Sequence, residues 1–181
     1  QDQDGNDGVD GGGDGDGGDG NGTSDTVLVI NSPNGSAELT LEELLSMDNI
    51  SGQGGKLTEA GEVEGPFDLL GVGIFDLLDL VGGMDVTESL IAHDASGELM
   101  VYTYAQVDGE VAVYDQNGLP ADLGGMVMVL VYGVPDMPVE GPVDLGTAFV
   151  PGPTQTDLFT AEELWMDGVV ELEVGPDPGP V

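Results

Sequence analysis

The chain has 181 residues and a formal net charge of -35 at pH 7, from 36 Asp and Glu against a single Lys, Lys56. That length suits one domain of ordinary size and not two, and so acidic a surface excludes nucleic acid and anionic membranes as partners. The absence of cysteine excludes disulfides, thiolate metal ligands and a thiol nucleophile.

Residues 1–22 are built almost wholly from Asp, Gly and Asn. Nothing in them can enter a core, so they read as a self-repelling arm. Folding is expected from Thr26-Val-Leu-Val-Ile30, a β-branched run closed by the turn signal Asn31-Ser-Pro-Asn-Gly35. Thr40-Leu-Glu-Glu-Leu-Leu45 carries a capping box: the Thr40 hydroxyl can accept from the amide three residues on while Glu43 reaches back. A short helix is predicted there. The same signature at Thr160-Ala-Glu-Glu-Leu-Trp165 predicts a second. Between them, Gly73-Ile-Phe-Asp-Leu-Leu-Asp-Leu-Val81 places Asp76 and Asp79 on one side and apolar residues on the other, and stops at Gly82-Gly83, as an amphipathic helix does.

Strands are predicted at 89–93, 99–104, 110–114, 126–132 and 169–174, with turns at Asp94-Ala-Ser-Gly97, Asp108-Gly109 and Asn117-Gly118. The run from Met126 to Tyr132 is continuous and not alternating, so it should be buried on both faces within a sheet. The proline-rich stretch 133–157 reads as an extended loop, and 175–181 as a stiff tail. No apolar run approaches the roughly 18 to 20 residues needed to span a bilayer, so a soluble chain without membrane insertion is expected. The fold class is α+β, mostly β: a mixed, sandwich-like sheet core with about three short helices. Residues 1–25 form the acidic arm, 26–174 the domain and 175–181 the tail. The runs at 26–30 and 169–174 are candidate edge strands, and an edge strand beside a terminal arm suits strand exchange between subunits.

The order of these segments resembles the molybdopterin-binding domain of the sulfite oxidase family, especially its small secreted versions. The likeness rests on Thr40-Leu-Glu-Glu-Leu, on Gly71-Val-Gly-Ile-Phe-Asp-Leu-Leu-Asp-Leu-Val-Gly82, on Val113-Tyr-Asp-Gln-Asn-Gly-Leu-Pro120 before Gly124-Gly125, and on Trp165 to Val174. The resemblance implies the fold and argues against the activity. The family's enzymes hold molybdenum through a cysteine and surround the cofactor's phosphate with basic and histidine side chains, whereas this chain has no Cys, no Arg and one His. No molybdopterin is expected.

The arm holds the sharpest chemistry. Calcium takes 6 to 8 oxygen ligands, and alternating Asp and Gly let a short backbone curl round one ion. Asp2, Asp4, Asn6, Asp7 and Asp10 resemble the opening of an EF-hand or thrombospondin type 3 calcium loop, although Gly at the sixth position and the distal Glu are missing. Asp14, Asp16 and Asp19 approach a glycine-rich calcium repeat. These eight residues are the candidate metal ligands, with calcium the expected ion. The alternative is an acidic linker that only condenses counter-ions.

Half of the chain's asparagines stand in N-x-[ST] sequons, at Asn21, Asn34 and Asn49, which favours an extracellular, glycosylated chain. The start at Gln1 is consistent with leader removal and equally with an arbitrary chain boundary. His93, beside Asp94, reads as a structural or surface histidine, since no Ser, Cys or second His completes a catalytic set. The residues 42, 43, 76, 79, 162 and 163 read as solvated helix acids. No pair of carboxylates stands out for hydrolysis, so no enzyme is expected.

The expected function is therefore that of a secreted structural subunit. It would form a filament, sheath or surface layer with copies of itself, through β-strand and calcium-mediated contacts. The alternative is a secreted, non-polymerising binding module holding a small ligand or a protein partner.

Overall fold

The computed structural model describes residues 25–121, 125–140, 142–152 and 157–176. The arm with all eight candidate ligands, and most of the tail, lie outside them. The described residues are α+β and mostly strand, as the patterning predicts.

The chain enters as β1 (Thr26–Ser32) and turns through Pro33-Asn34 into β2 (Gly35–Thr40). It then caps α1 (Leu41–Ser46). The capping box forms as expected: Thr40 Oγ1 accepts the Glu43 N–H at 3.3 Å, and Glu43 Oε2 accepts the Thr40 N–H at 2.9 Å. Those bonds hold the Glu43 carboxyl below its ordinary pKa, the backbone N–H of Thr40 first and its hydroxyl second.

A long hairpin follows, β3 (Asn49–Leu57) with β4 (Val63–Gly73), leading into α2 (Ile74–Asp79). Helix α2 buries Ile74, Leu77 and Leu78 and leaves Asp76 and Asp79 in solvent. It stops where expected, at Gly82 and Gly83, whose φ angles of +99° and +81° favour glycine. Next come β5 (Glu88–Asp94), β6 (Leu99–Thr103) and α3 (Tyr104–Val107). The short β7 (Val113–Tyr114) and β8 (Pro120–Ala121) precede β9 (Met126–Gly133) and β10 (Gly146–Pro151). The chain closes with β11 (Phe159–Ala161), a 3-10 turn over Glu162–Leu164, and β12 (Val169–Pro176).

The strands form a five-stranded sheet, ordered β2-β1-β12-β5-β6, and a seven-stranded sheet, ordered β10-β9-β4-β3-β11-β7-β8. Pairs β1/β12 and β3/β11 are parallel and the others antiparallel. One large apolar cluster joins the sheets: Leu28, Ile30, Leu90 and Leu172 from the first pack in it with Met128 and Leu130 of β9, and α1 and α2 add Leu44 and Leu77. Strand β9 is apolar on both faces, as its unbroken run predicts. Its even-numbered residues join the main core, while Val129 heads a second cluster with Ala148, Val150, Leu69 and Trp165.

That second cluster exists because the seven-stranded sheet curls until β10 lies against β3. A Cβ at Gly54 would stand 2.5 Å from the Phe149 carbonyl oxygen, and one at Gly52 would stand 3.1 Å from Val150 Cβ. Between β10 and the segment after β11, an isolated antiparallel bridge pairs Thr147 with Met166, the Thr147 N–H donating to the Met166 carbonyl at 2.8 Å. The result is a small half-barrel filled by its own side chains.

Several sequence expectations are corrected. The 133–157 stretch is not all loop, because β10 lies within it. The strand expected at 99–104 ends at Thr103, which caps α3 with Gln106 in an unforeseen capping box. Of 110–114 only Val113 and Tyr114 are strand. The helix expected at Thr160 shrinks to the 3-10 turn over Glu162–Leu164, which has no side-chain cap: Thr160 belongs to β11, and its hydroxyl accepts the Trp165 indole N–H at 2.8 Å. Finally, the runs at 26–30 and 169–174 are not edges, since β1 lies between β2 and β12, and β12 between β1 and β5. The glycines of β3 disguised that strand, and β4 beside it was missed with it.

Candidate functional site

The candidate calcium ligands Asp2, Asp4, Asn6, Asp7, Asp10, Asp14, Asp16 and Asp19, and the sequon residue Asn21, lie outside the described residues. Asn34 and Asn49 lie within them, and both are exposed, as are Ser36 and Ser51 of their sequons. Asn34 sits at the tip of the β1–β2 hairpin, where its N–H donates to Ser32 Oγ at 3.1 Å, and the Ser32 hydroxyl donates to the Val81 carbonyl at 2.6 Å. Asn49 opens β3.

Every acid among the described residues is outside the core, where the buried polar side chains are Ser89, Thr147 and Thr160. The surface therefore carries the charge almost uncompensated. Lys56, on β3, places its ammonium 5.2 Å from the Trp165 ring centroid, a cation–π arrangement. His93 Nε2 lies 3.3 Å from Glu173 Oε2, the only ion pair among the described residues, which forms when the imidazole is protonated. Beside it, Asn31 Nδ2 donates to Glu171 Oε1 at 2.7 Å. These polar contacts lie in neighbouring register rows of the five-stranded sheet, consistent with a structural histidine. No group of three or more His, Cys, Asp or Glu side chains that could hold a metal occurs among the described residues.

Two clefts have defined walls. One, of about 460 Å³, lies between the β1–β2 turn and the segment after α2, lined by Asn34, Phe75, Asp79, Asp85, Glu88 and Tyr104. Its Glu88 carboxylate is already engaged, accepting the Asp85 N–H at 2.7 Å.

The other is the mouth of the half-barrel. Leu69, Val131, Ala148 and Trp165 wall a cavity of about 100 Å³ whose lip carries Asp144 and Asp167. It continues into a groove of about 610 Å³ that shares Leu69, Val131 and Asp144 and adds Phe67 and Val134. A Cβ at Gly146 would stand 3.0 Å from the Met166 carbonyl oxygen and 3.3 Å from Asp167 Oδ1, so the bare glycine lets the segment after β11 lie close against β10 at this lip. Sequence reasoning missed this mouth, because its walls come from β4, β9, β10 and the segment after β11. Only the lone Trp, followed by Asp167, signalled it.

Chemically the mouth suits an apolar ligand that is neutral or cationic, because the two carboxylates at its lip repel anions. It offers no free nucleophile. The Thr147 hydroxyl lies 2.7 Å from Tyr102 Oη and accepts the Met166 N–H at 3.1 Å. A molybdopterin does not fit this donor set: its thiolate ligand is missing from the chain, and its phosphate would meet carboxylates. No helix among the described residues is long and apolar enough to cross a membrane. Compared with known protein families and with curated proteins, the chain finds no match.

Proposed function

We propose that this chain is an extracellular, non-enzymatic structural subunit that assembles with copies of itself into a filament, sheath or surface layer. Calcium held by the arm and by surface carboxylates neutralises and bridges the subunits. One observation carries the reading: the acids of the described residues stand outside the core, and the two side chains able to balance them are already engaged, Lys56 with Trp165 and His93 with Glu173. Neutralisation then has to come from outside the chain, and hard divalent cations are the oxygen-seeking agents for it. The exposed acceptors Asn34 and Asn49 agree with a glycosylated outer surface. Titrating the full chain with calcium by calorimetry, while following particle size by light scattering, tests it. Saturable uptake with growth of particles, reversed by chelator, is expected; a chain that binds no calcium and keeps its size sinks it.

A second reading is favoured by the half-barrel mouth: a secreted binding module that holds an apolar, uncharged or cationic group without polymerising. Its signature would be a chain that stays monomeric in calcium and whose Trp165 fluorescence shifts on saturation with such a ligand.

A further inference from the structure

Four strands end the two sheets, and three are blunted. At the ends of the seven-stranded sheet, β8 is two residues long, and β10 has its outer side bridged to Met166. At the ends of the five-stranded one, β2 carries Glu38, and β6 is left bare. In a chain of net charge -35, β6 reads Leu99-Met-Val-Tyr-Thr103, without an acid, a proline or a lysine. Edge strands are ordinarily guarded by such residues or by bulges. The β5–β6 register is regular, from Ser89↔Thr103 to His93↔Leu99.

The direction of the free hydrogen-bonding groups follows from the ladder. Asp94 N–H donates to the Glu98 carbonyl at 3.0 Å, and antiparallel pairs alternate between bonded and non-bonded. Met100 and Tyr102 therefore bond to β5, whereas the N–H and C=O of Leu99 and Val101 point away from it. Among the described residues these outward groups have no partner. The side chains of the same two residues are exposed, Leu99 at 56% and Val101 at 37%. Thr103 is different: its N–H is taken by Gln106 Oε1 at 2.9 Å, so the open edge ends at Val101.

We infer that β6 is a self-pairing edge, at which two copies join antiparallel about a two-fold axis through Met100. Leu99 of each copy then exchanges both backbone hydrogen bonds with Val101 of the other, so every free group on the edge is satisfied. The two five-stranded sheets become one continuous sheet across the dimer. Leu99 and Val101 of one copy meet Val101 and Leu99 of the other on the same face, which buries Leu99, the most exposed large apolar side chain of this sheet, together with Val101. The occupant is a second copy because the short open edge is self-complementary in this register. A basic partner would find its attraction elsewhere on the surface, not on an uncharged strand. Repulsion between two such acidic bodies opposes the pairing, so it should require screening but no particular ion. It therefore stands or falls separately from the calcium-bridged assembly.

Sedimentation velocity of the full chain with chelator present tests it. At about 1 M sodium chloride, where the screening length is about 3 Å, a dimer is expected, reverting to monomer at low salt. Val101→Lys should be monomeric at every salt concentration with an unchanged circular dichroism spectrum. Met100→Cys, at the axis where facing Cα atoms lie about 4.5 Å apart, should oxidise to a covalent dimer much faster than Ser36→Cys on β2. A wild-type chain that stays monomeric in high salt overturns the proposal. So does a Val101→Lys dimer, or equal cross-linking by the two cysteine variants.

Discussion

The Tyr102 hydroxyl on β6 lies 2.7 Å from Thr147 Oγ1 on β10, so one phenol ties the five-stranded sheet to the half-barrel of the seven-stranded one. Tyr102 also donates to the Leu164 carbonyl at 3.1 Å, while Thr147 Oγ1 accepts the Met166 N–H at 3.1 Å. With its single proton given to Leu164, Tyr102 must accept from Thr147, and the network is then satisfied throughout. Tyr102→Phe strands the Thr147 hydroxyl and the Leu164 carbonyl, at an expected cost of about 1–3 kcal/mol. Urea denaturation measures it, and a cycle with Thr147→Val should give coupled, not additive, losses.

Burial pushes the Tyr102 hydroxyl up to about 12, well above its ordinary value of 10.0, with the Thr147 contact opposing the shift. A raised folded pKa means stability that is complete below the unfolded value and lost as pH climbs through the folded one. Stability should therefore fall between about pH 10 and pH 12. Thermal melts across that range should fall steeply for the native chain and less steeply for Tyr102→Phe, which has no proton to lose there. Equal slopes would deny Tyr102 this part.

The fit of β3 against β10 predicts a sharp contrast between two glycines. Gly54→Ala would place a methyl 2.5 Å from the Phe149 carbonyl oxygen, which belongs to the backbone and cannot turn aside. A loss of at least about 1–3 kcal/mol is expected in the melting curve. Gly175→Ala, with nothing within 4 Å of the added methyl, should melt close to the native chain.

Lys56→Met keeps the aliphatic stem and removes the ammonium over Trp165. Stability should drop by about 0.5–1 kcal/mol, the ordinary size of a partly exposed cation–π contact. Because Trp165 is the chain's sole tryptophan, its emission reports the change directly. Unaltered emission and stability would show the contact to be incidental.

Much of the local structure was legible because it depends on a few neighbouring residues. The Thr40–Glu43 capping box, the glycine stop after α2 and the turns at Asp94 and Asp115 each follow from side-chain chemistry within four positions. At those turns the carboxylates are held below their ordinary pKa, Asp94 chiefly by the Ser96 hydroxyl and Asp115 by the Leu119 and Asn117 amides. Thr160 shows the limit: the same signature as Thr40 stands there, but a tryptophan five residues on takes its hydroxyl and the cap is not made.

By itself the sequence determined the composition class, the α+β character, the unbroken apolar run of β9 and the large excess of negative charge, since all depend on residue type and short-range period. Only the tertiary structure decided that β1 and β12 lie side by side within one sheet, that glycine-rich β3 is a strand, and that Leu69, Asp144 and Trp165 share a mouth. It decided too that β6 ends the five-stranded sheet, with its outer side unpaired among the described residues. Those outcomes depend on which distant segments pair. Pairing is set by how well two surfaces fill the space between them, a quantity no single segment carries.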